Sequence, residues 1–165
     1  MHRLFLMAGA LCVSAVLGPI AHAQQPPPAP PPYGPPVTTE QAKKVVAAAL
    51  AEGQKTPYLY TFAVVDPTGS LVYFEKMDGA IYAATEIAIR KARTAAIFKR
   101  TSKTFYDQME GGHNFVATLS SDVTASIGGI PLIVDGKIIG AIGVSGSPSG
   151  PTDLAPAEAG AAALK

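Results

Sequence analysis

The amino-acid sequence predicts a single α+β domain in which a mainly antiparallel sheet is flanked by helices. Two segments have the pattern of β-hairpins, and helical segments rich in Ala lie before, between and after them. A hairpin joins antiparallel strands, so two hairpins exclude a purely parallel sheet and a Rossmann arrangement. A chain of 165 residues has the length of one domain rather than two.

The first 23 residues have the features of a cleaved secretory signal peptide. A basic start at His2 and Arg3 precedes an apolar run over residues 4–17, and the segment closes with the small-x-small sequence Ala21-His22-Ala23. We therefore expect the protein to be periplasmic or secreted. The apolar run is too short to span a membrane, and we expect no membrane span after cleavage.

Cleavage of this signal peptide would exclude several kinds of chemistry. Cys12 is the one cysteine, so the mature chain would have no disulfide, thiolate nucleophile or cysteine-based metal site. His113 would be the one remaining histidine, which excludes a multi-histidine metal cage. Basic and acidic residues would balance, so the charge does not favour nucleic acid as a partner.

Residues 24–37 are predicted to be a proline-rich linker that leads into a domain over residues 38–165. Eight prolines within residues 24–36 remove amide donors and favour an extended polyproline II backbone. We interpret the segment as a tether, with a ligand for a proline-binding module as the alternative.

The first helix and the first hairpin follow the linker. The helix is predicted to begin after Thr38, which can form a capping box with Gln41, and to end at Gly53. Apolar residues recur through it at steps of three and four, which indicates one buried face. The hairpin joins aromatic and β-branched segments at residues 59–65 and 71–74 through a turn that contains Pro and Gly.

A long helix is predicted over residues 81–99, because this segment is rich in Ala and contains neither Gly nor Pro. Asp78, just before it, is expected to cap its N-terminus. A shorter helix is predicted over residues 103–109 and ends before Gly111-Gly112. Residues 115–127 have the features of either a short strand or a loop.

The second hairpin joins apolar strands at residues 130–134 and 137–145 through Asp135-Gly136, a pair that favours a tight turn. Residues 146–152 are predicted to be a loop, and residues 153–164 a helix of small residues. These small side chains would allow close approach to a sheet or to a second copy of the chain.

Three segments of the sequence are similar to a known family. They are VVDPTGSLVYFEKMDGA, EIAIRKARTAAIFKRTS and GGIPLIVDGKIIGAIGVSGS. On these segments the chain resembles the GlcG/HbpS-like haem-degrading family over nearly all of residues 38–165. The resemblance implies a compact, profilin-like α+β domain that often forms oligomers. It also implies haem (heme) binding in some members and, for some exported members, partnership with a sensor kinase.

The Gly-rich end of the last predicted strand is one candidate ligand-binding element. Gly143, Ser145 and Gly146 lie where backbone amides could approach an anionic group closely. The alternative is that the glycines allow tight packing at the end of the sheet. The segment has neither a P-loop sequence nor the nucleophile elbow of a hydrolase.

Basic residues concentrate in and after the long predicted helix. Arg90, Arg93 and Arg100 are candidates to hold the carboxylates of a ligand such as haem through charge-assisted hydrogen bonds. The alternative is a solvated basic face, which would include Lys91 and would complement the helix dipole near the C-terminus.

Haem iron usually takes a His, Cys, Met or Tyr ligand. His113, in a predicted loop, is a candidate, and an ordinary surface histidine is the alternative. Met77 and Met109 are assigned to packing instead. The family resemblance adds Thr101, because the Thr101-Ser102 step matches a Pro-Thr step of the family, with Arg100 here in place of the proline.

Glu75 and Asp78 form an acid-x-x-acid pair that resembles surface iron sites of the family. Two carboxylates can share a cation, although two ligands alone hold it weakly. Iron is therefore a second candidate ligand, as the alternative to the capping role of Asp78.

The leading hypothesis from the sequence is an exported homo-oligomer that binds haem or a related tetrapyrrole for storage, sequestration or sensing. One alternative is a small-molecule enzyme that degrades haem or acts on a hydroxyacid, with Arg90 or Arg93 as an anion clamp and His113 as acid–base. Another is a module that docks on a sensor partner. The sequence shows no paired acid–base or nucleophile constellation, which favours binding over catalysis.

Overall fold

The computed structural model describes residues 28–165. The predicted signal peptide, residues 1–23, and the first four residues of the predicted linker lie outside the described residues. In chain order the elements are α1 (Thr39–Gly53), β1 (Thr61–Val65), β2 (Leu71–Lys76), α2 (Tyr82–Phe98), α3 (Lys103–Glu110), a 3₁₀ helix (Asn114–Thr118), β3 (Gly129–Val134), β4 (Lys137–Ser145) and α4 (Gly150–Ala162).

The strands form one antiparallel sheet in the order β2-β1-β4-β3. Both predicted hairpins are present, since β1 pairs with β2 and β3 pairs with β4. β1 also pairs with β4, so that Ala63 lies opposite Gly143 in the middle of the sheet. The predicted α+β class with a mainly antiparallel sheet is therefore confirmed, and β2 and β3 form its two edges.

Helices cover both faces of the sheet, because alternate side chains of a strand point to opposite faces. On one face, Val65 and Ala141 pack against the alanines of α2. On the other face lie α1 and α4, and the core there includes Val45, Val46, Phe62, Val64, Leu132, Ile142 and Ala157. Among the helices of residues 28–165, none combines the length and the apolar character needed to cross a membrane.

The start of α1 follows the sequence pattern. The Gln41 amide donates to the Thr38 hydroxyl (3.2 Å) and the Thr38 amide donates to the Gln41 side chain (2.9 Å). The predicted capping box is therefore confirmed, and the helix ends at Gly53 as expected.

Some local expectations are wrong. Asp78 does not cap α2, because it lies in a turn closed by the Ala80 amide on the Met77 carbonyl, and no side chain caps the helix. For residues 115–127 the loop alternative is confirmed, with a 3₁₀ helix at its start. α4 begins at Gly150 instead of residue 153, because a proline in its first turn is already in a helical conformation.

The chain before α1 packs on the domain. The Ile138 amide donates to the Pro32 carbonyl (2.9 Å), and the Gly34 amide donates back to the Ile138 carbonyl (2.8 Å). The Val37 amide donates to the Ile139 carbonyl (2.7 Å). Residues 28–37 are called the proline strap below. Through Pro32, Gly34 and Val37 the strap is held against β4, rather than extending freely as a tether.

Candidate functional site

A surface groove of about 300 Å³ lies where the end of α2 meets the edge strand β3. It is called the edge groove below. Its lining combines aliphatic side chains with basic residues and one hydroxyl. The lining residues are Lys99, Arg100, Thr101, Ile130, Pro131, Ile133, Ala161 and Lys165.

Ser102 ties the step between α2 and α3 to β3. Its amide donates to the Gly129 carbonyl (3.0 Å), and its hydroxyl accepts from the Gly129 amide (2.9 Å). Gly129 has to be glycine, because a Cβ there would lie 2.3 Å from the carbonyl oxygen of Lys91. These contacts fix Arg100 and Thr101 beside the edge of the sheet.

The outer edge of β3 forms an apolar wall. The backbone of Gly129 faces away from β4, since its amide and carbonyl both bond to Ser102. In an antiparallel pair the residue two positions further on faces the same way, and here it is Pro131, which has no amide proton. The edge therefore lacks a full row of donors for strand addition and suits a small molecule better.

Two basic side chains flank this wall. Lys99 has a left-handed φ of 55°, which ends α2 and turns the chain toward Arg100. The Arg100 guanidinium lies 5.4 Å from the centre of the Phe105 ring, and its Nε donates to the Phe98 carbonyl (3.2 Å). The salt bridges found within residues 28–165 involve neither Lys99 nor Arg100. Neither charge is thus neutralised by an acidic side chain of the described residues, and both can meet an anionic ligand.

A second hollow, of about 380 Å³, lies on the other side of the same two cations. The proline strap forms one of its walls. Its lining residues are Pro28, Pro30, Phe98, Lys99, Arg100 and Thr104. Lys99 and Arg100 therefore separate two hollows, one against β3 and one against the strap.

A buried ion pair lies under α2, away from the groove. The Lys91 ammonium donates to the Asp153 carboxylate (2.6 Å) and to the Val144 carbonyl (3.0 Å). Asp153 also accepts from the amide (3.1 Å) and the hydroxyl (2.7 Å) of Ser147. Burial lowers the pKa of Lys91, and the Asp153 carboxylate opposes that shift. The pair joins α2, β4 and α4.

This pair corrects the expectation that Lys91 belongs to a solvated basic face, since its exposed fraction is 1%. The sequence contained the signal: Lys91 follows Ala84 and Ala88 and precedes Ala95 at the three- and four-residue steps of a buried helix face. The burial of Lys91 is easily overlooked, because a lysine among small alanines is usually assigned to solvent.

The other two predicted arginines hold neighbouring loops. Arg90 is exposed and donates to the Ser121 carbonyl (3.0 Å). Arg93 is half-buried, and its Nε donates to the Gly69 carbonyl (3.1 Å) in the β1–β2 turn. Neither residue lines the edge groove. Of the three arginines proposed to hold a ligand, the structure places only Arg100 there.

His113 is exposed at the start of the 3₁₀ helix and does not line the edge groove. Its ring centre lies 6.3 Å from that of Phe115, in an edge-on arrangement. Phe115 is 60% exposed, so the two rings form a small aromatic surface on this loop. Of the two candidates for haem contact, Thr101 thus lines the edge groove and His113 does not.

The Gly-rich end of β4 lies between α2 and β1. A Cβ on Gly143 would lie 2.0 Å from the Ala88 carbonyl oxygen, so this glycine lets α2 approach the sheet. Gly146 has a φ of 152° and packs with similar closeness on the Leu59 carbonyl. Ser145 is buried opposite Thr61. The packing alternative stated for this segment accounts for both glycines.

The predicted iron ligands lie at the opposite edge of the sheet. Glu75 is on β2 and accepts a hydrogen bond from the Tyr73 hydroxyl (3.2 Å), which raises the pKa of Tyr73. Asp78 follows in the exposed turn after β2. Within residues 28–165 no three His, Cys, Asp or Glu residues come close enough to hold a metal ion. Iron binding by this pair stays a prediction.

Of the predicted site residues, then, the structure brings together Arg100 and Thr101. The apolar wall formed by Ile130, Pro131 and Ile133 is not predicted from the sequence, because a strand pattern alone does not indicate which strand forms an edge of the sheet. A proline within a predicted strand is a signal for an edge position, and it was present at Pro131.

The fold and the edge groove define a small α+β domain with a surface site suited to an amphipathic anion. The chain belongs to the HbpS-like family, since the family model described as haem degrading protein HbpS-like matches residues 37–162. The family predicted from the sequence is therefore confirmed.

Individual proteins agree with this assignment. The chain is 38% identical over 98 residues to protein GlcG of Escherichia coli K12, covering 59% of this chain and 72% of GlcG. A double mutant of Streptomyces reticuli HbpS superposes with a TM-score of 0.73 at 27% identity, over 93% of this chain and 99% of that one. A PduOC–haem complex superposes with a TM-score of 0.71 at 26% identity, over 79% and 96%.

Proposed function

We propose that this protein binds haem or a related tetrapyrrole in the edge groove. The observation that carries the proposal is an apolar wall beside two cations, Lys99 and Arg100, that have no acidic partner within residues 28–165. A tetrapyrrole such as haem is flat and apolar and bears carboxylates at one side, which charge-assisted hydrogen bonds hold well. The haem complex of the similar PduOC domain supports the same ligand class.

The lining residues fit the organic part of haem better than its iron. None of them is a His, Cys, Met or Tyr, and Thr101 supplies the one side-chain hydroxyl. We therefore propose that the apolar wall and the carboxylate contacts provide the recognition. Thr101, the one hydroxyl of the lining, is the proposed polar contact beside the ring, and His113 lies outside the groove, so we assign no side chain to the iron.

The biological role that we propose is storage, sequestration or sensing of the tetrapyrrole outside the cytoplasm. The signal-peptide pattern of residues 1–23 supports export to the periplasm or the medium. A homo-oligomer and a sensor-kinase partner are proposed on the family resemblance. Size-exclusion chromatography coupled to light scattering would test the oligomer directly.

The binding proposal is tested by titrating the purified protein with haem and following its Soret absorbance. We expect saturable binding near one haem per chain. Arg100→Gln should weaken it about threefold to tenfold, because a charge-assisted contact at the surface contributes about 1 kcal/mol. Arg90→Gln is the matched control, since Arg90 is also an exposed arginine but lies within α2 and bonds to Ser121 away from the groove.

The outcomes separate the ligand from its site. Absence of a saturable Soret shift with the unchanged protein would overturn haem as the ligand. Equal loss of affinity in the Arg90 and Arg100 variants would overturn the edge groove as the place where haem binds. The melting temperature of each variant is measured alongside, because both arginines are exposed and their replacement should leave it unchanged.

A further inference from the structure

The proline strap brings an aromatic ring to the end of α2. The Tyr33 hydroxyl lies 2.9 Å from the carbonyl oxygen of Ala96 and 3.1 Å from that of Ile97. These are carbonyls of the last helical turn, which lack intrahelical partners and accept hydrogen bonds readily. Partial burial raises the pKa of Tyr33, and a tyrosine hydroxyl is in any case protonated and able to donate at neutral pH.

The backbone on both sides of Tyr33 is held as well. Pro32 and Gly34 exchange hydrogen bonds with Ile138 at the start of β4. Gly34 packs closely there, since a Cβ would lie 2.9 Å from the Cβ of Lys137. The ring is therefore fixed from both its hydroxyl and its backbone.

The Lys99 ammonium lies 4.0 Å from the centre of the Tyr33 ring, within the range of a cation–π interaction. The backbone of Lys99 is fixed by its left-handed conformation at the end of α2. A free lysine side chain has about 2 kcal/mol of rotamer entropy to lose when it binds an anion. A side chain already held by a ring has less to lose, so its charge is better prepared for a ligand.

We infer that Tyr33 is a positioning residue of the ligand site: its ring holds the ammonium of Lys99, a residue that lines both the edge groove and the hollow beside the strap, ready for a carboxylate of the ligand. The inference rests on the proposed function. It assigns part of the site to the proline strap, which contains Tyr33. This residue precedes residues 37–162, the region that the family model matches. The ligand class that this arrangement favours is an apolar ring system with carboxylates, with or without a metal.

The test uses protoporphyrin IX and its dimethyl ester, which has the same ring without free carboxylates. Binding is followed by porphyrin fluorescence in the full protein and in the variants Tyr33→Leu, Tyr33→Phe and Lys99→Gln. We expect Tyr33→Leu and Lys99→Gln each to weaken protoporphyrin IX about threefold to fivefold and to leave the ester unchanged. The double variant should lose little more than either single one.

Tyr33→Phe separates the ring from the hydroxyl, since it keeps the cation–π surface and removes the hydrogen bonds to α2. Its loss of affinity should be smaller than that of Tyr33→Leu. Tyr82→Leu is the matched control, because Lys76 lies 4.6 Å from the centre of that ring and the residue is 91% exposed. It lies after β2, at the far edge of the sheet, and should change neither ligand's affinity.

The failures are distinguishable. If the unchanged protein binds neither porphyrin, the proposed function falls and this inference falls with it. If it binds protoporphyrin IX but Tyr33→Leu has no effect, or weakens the ester equally, the positioning role alone is overturned. Independent, additive losses in the Tyr33 and Lys99 variants would also overturn it, because they would show that the two side chains do not act through each other.

Discussion

Lys91 within α2 and Lys99 at its C-terminal cap lie eight residues apart and have opposite roles. Lys91 is buried, and its ammonium is held by a carboxylate and a carbonyl. Lys99 ends the helix at the surface, where its ammonium faces an aromatic ring and has no acidic partner within residues 28–165. The Lys91 charge is compensated by Asp153 and stabilises the fold. The Lys99 charge has no such compensation and stays available to a ligand.

The difference follows from what surrounds each side chain. A charge removed from water must be paired and hydrogen-bonded, and Asp153 provides this for Lys91 from another helix. Glycines make the burial sterically feasible, as a Cβ on Gly128 would lie 3.3 Å from the Lys91 Nζ. Lys99 keeps partial contact with water, so no such pairing is required of it.

The largest effect should come from Lys91→Met, which leaves the Asp153 carboxylate buried without its cation. Removing one partner of a buried pair costs about 3–5 kcal/mol of unfolding free energy. Urea denaturation measures it, and haem affinity per folded molecule should stay unchanged. The corresponding change at the surface, Lys99→Gln, should show the reverse, with stability kept and affinity reduced.

A second variant makes this contrast sharper. Lys91→Met combined with Asp153→Leu removes both charges, and we expect it to recover a large part of the lost stability, because apolar side chains can replace a buried ion pair. Recovery will be incomplete, since Asp153 also accepts two hydrogen bonds from Ser147. A single variant as stable as the unchanged protein would contradict the view that this pair holds the fold.

The two lysines also show how far sequence reasoning reaches. The capping box at Thr38, the two hairpins and the long helix depend on local patterns, and each is confirmed. Lys91–Asp153 and the edge groove depend on contacts between segments far apart in the chain. The alanine spacing around Lys91 indicates a buried helix face, but a local pattern does not specify that the partner is Asp153, 62 residues away.

The next effect in size should come from Gly143→Ala, which tests whether the Gly-rich strand end serves packing or ligand binding. The added Cβ would lie 2.0 Å from the Ala88 carbonyl oxygen and 2.6 Å from the Ala92 amide nitrogen, so α2 must move away from the sheet. Overpacking of this kind costs about 1–3 kcal/mol. Thermal unfolding measures the loss.

Gly136→Ala is the control for Gly143, because nothing lies within 4 Å of a Cβ there. Its φ of 71° still makes the alanine strained, so it reports backbone strain alone, about 1 kcal/mol. In both variants the stability should fall, whereas the haem affinity per folded molecule should stay unchanged. A Gly143 variant that is stable but binds haem poorly would move the ligand site from the edge groove to the end of β4.

The smallest effect on the unfolding free energy should come from replacing Asp66. This carboxylate is half-buried and is held by hydrogen bonds within its own turn. Its carboxylate accepts from the Thr68 amide (2.8 Å), the Thr68 hydroxyl (2.6 Å) and the Ser70 amide (3.1 Å). Burial by itself would raise the pKa of Asp66, but these hydrogen bonds outweigh it and hold the pKa below its ordinary value.

A lowered carboxyl pKa in the folded state stabilises the protein above the unfolded pKa, near 4, and the stabilisation is lost as the pH falls through the folded value. Asp66→Asn should therefore lower the unfolding free energy by up to about 1 kcal/mol at pH 7. The difference between the two proteins should shrink as the pH falls below the unfolded value, as measured by urea denaturation at pH 7 and at about pH 3. An equal difference at both would mean that the shape of the side chain, and not its charge, stabilises the turn that Arg93 joins to α2.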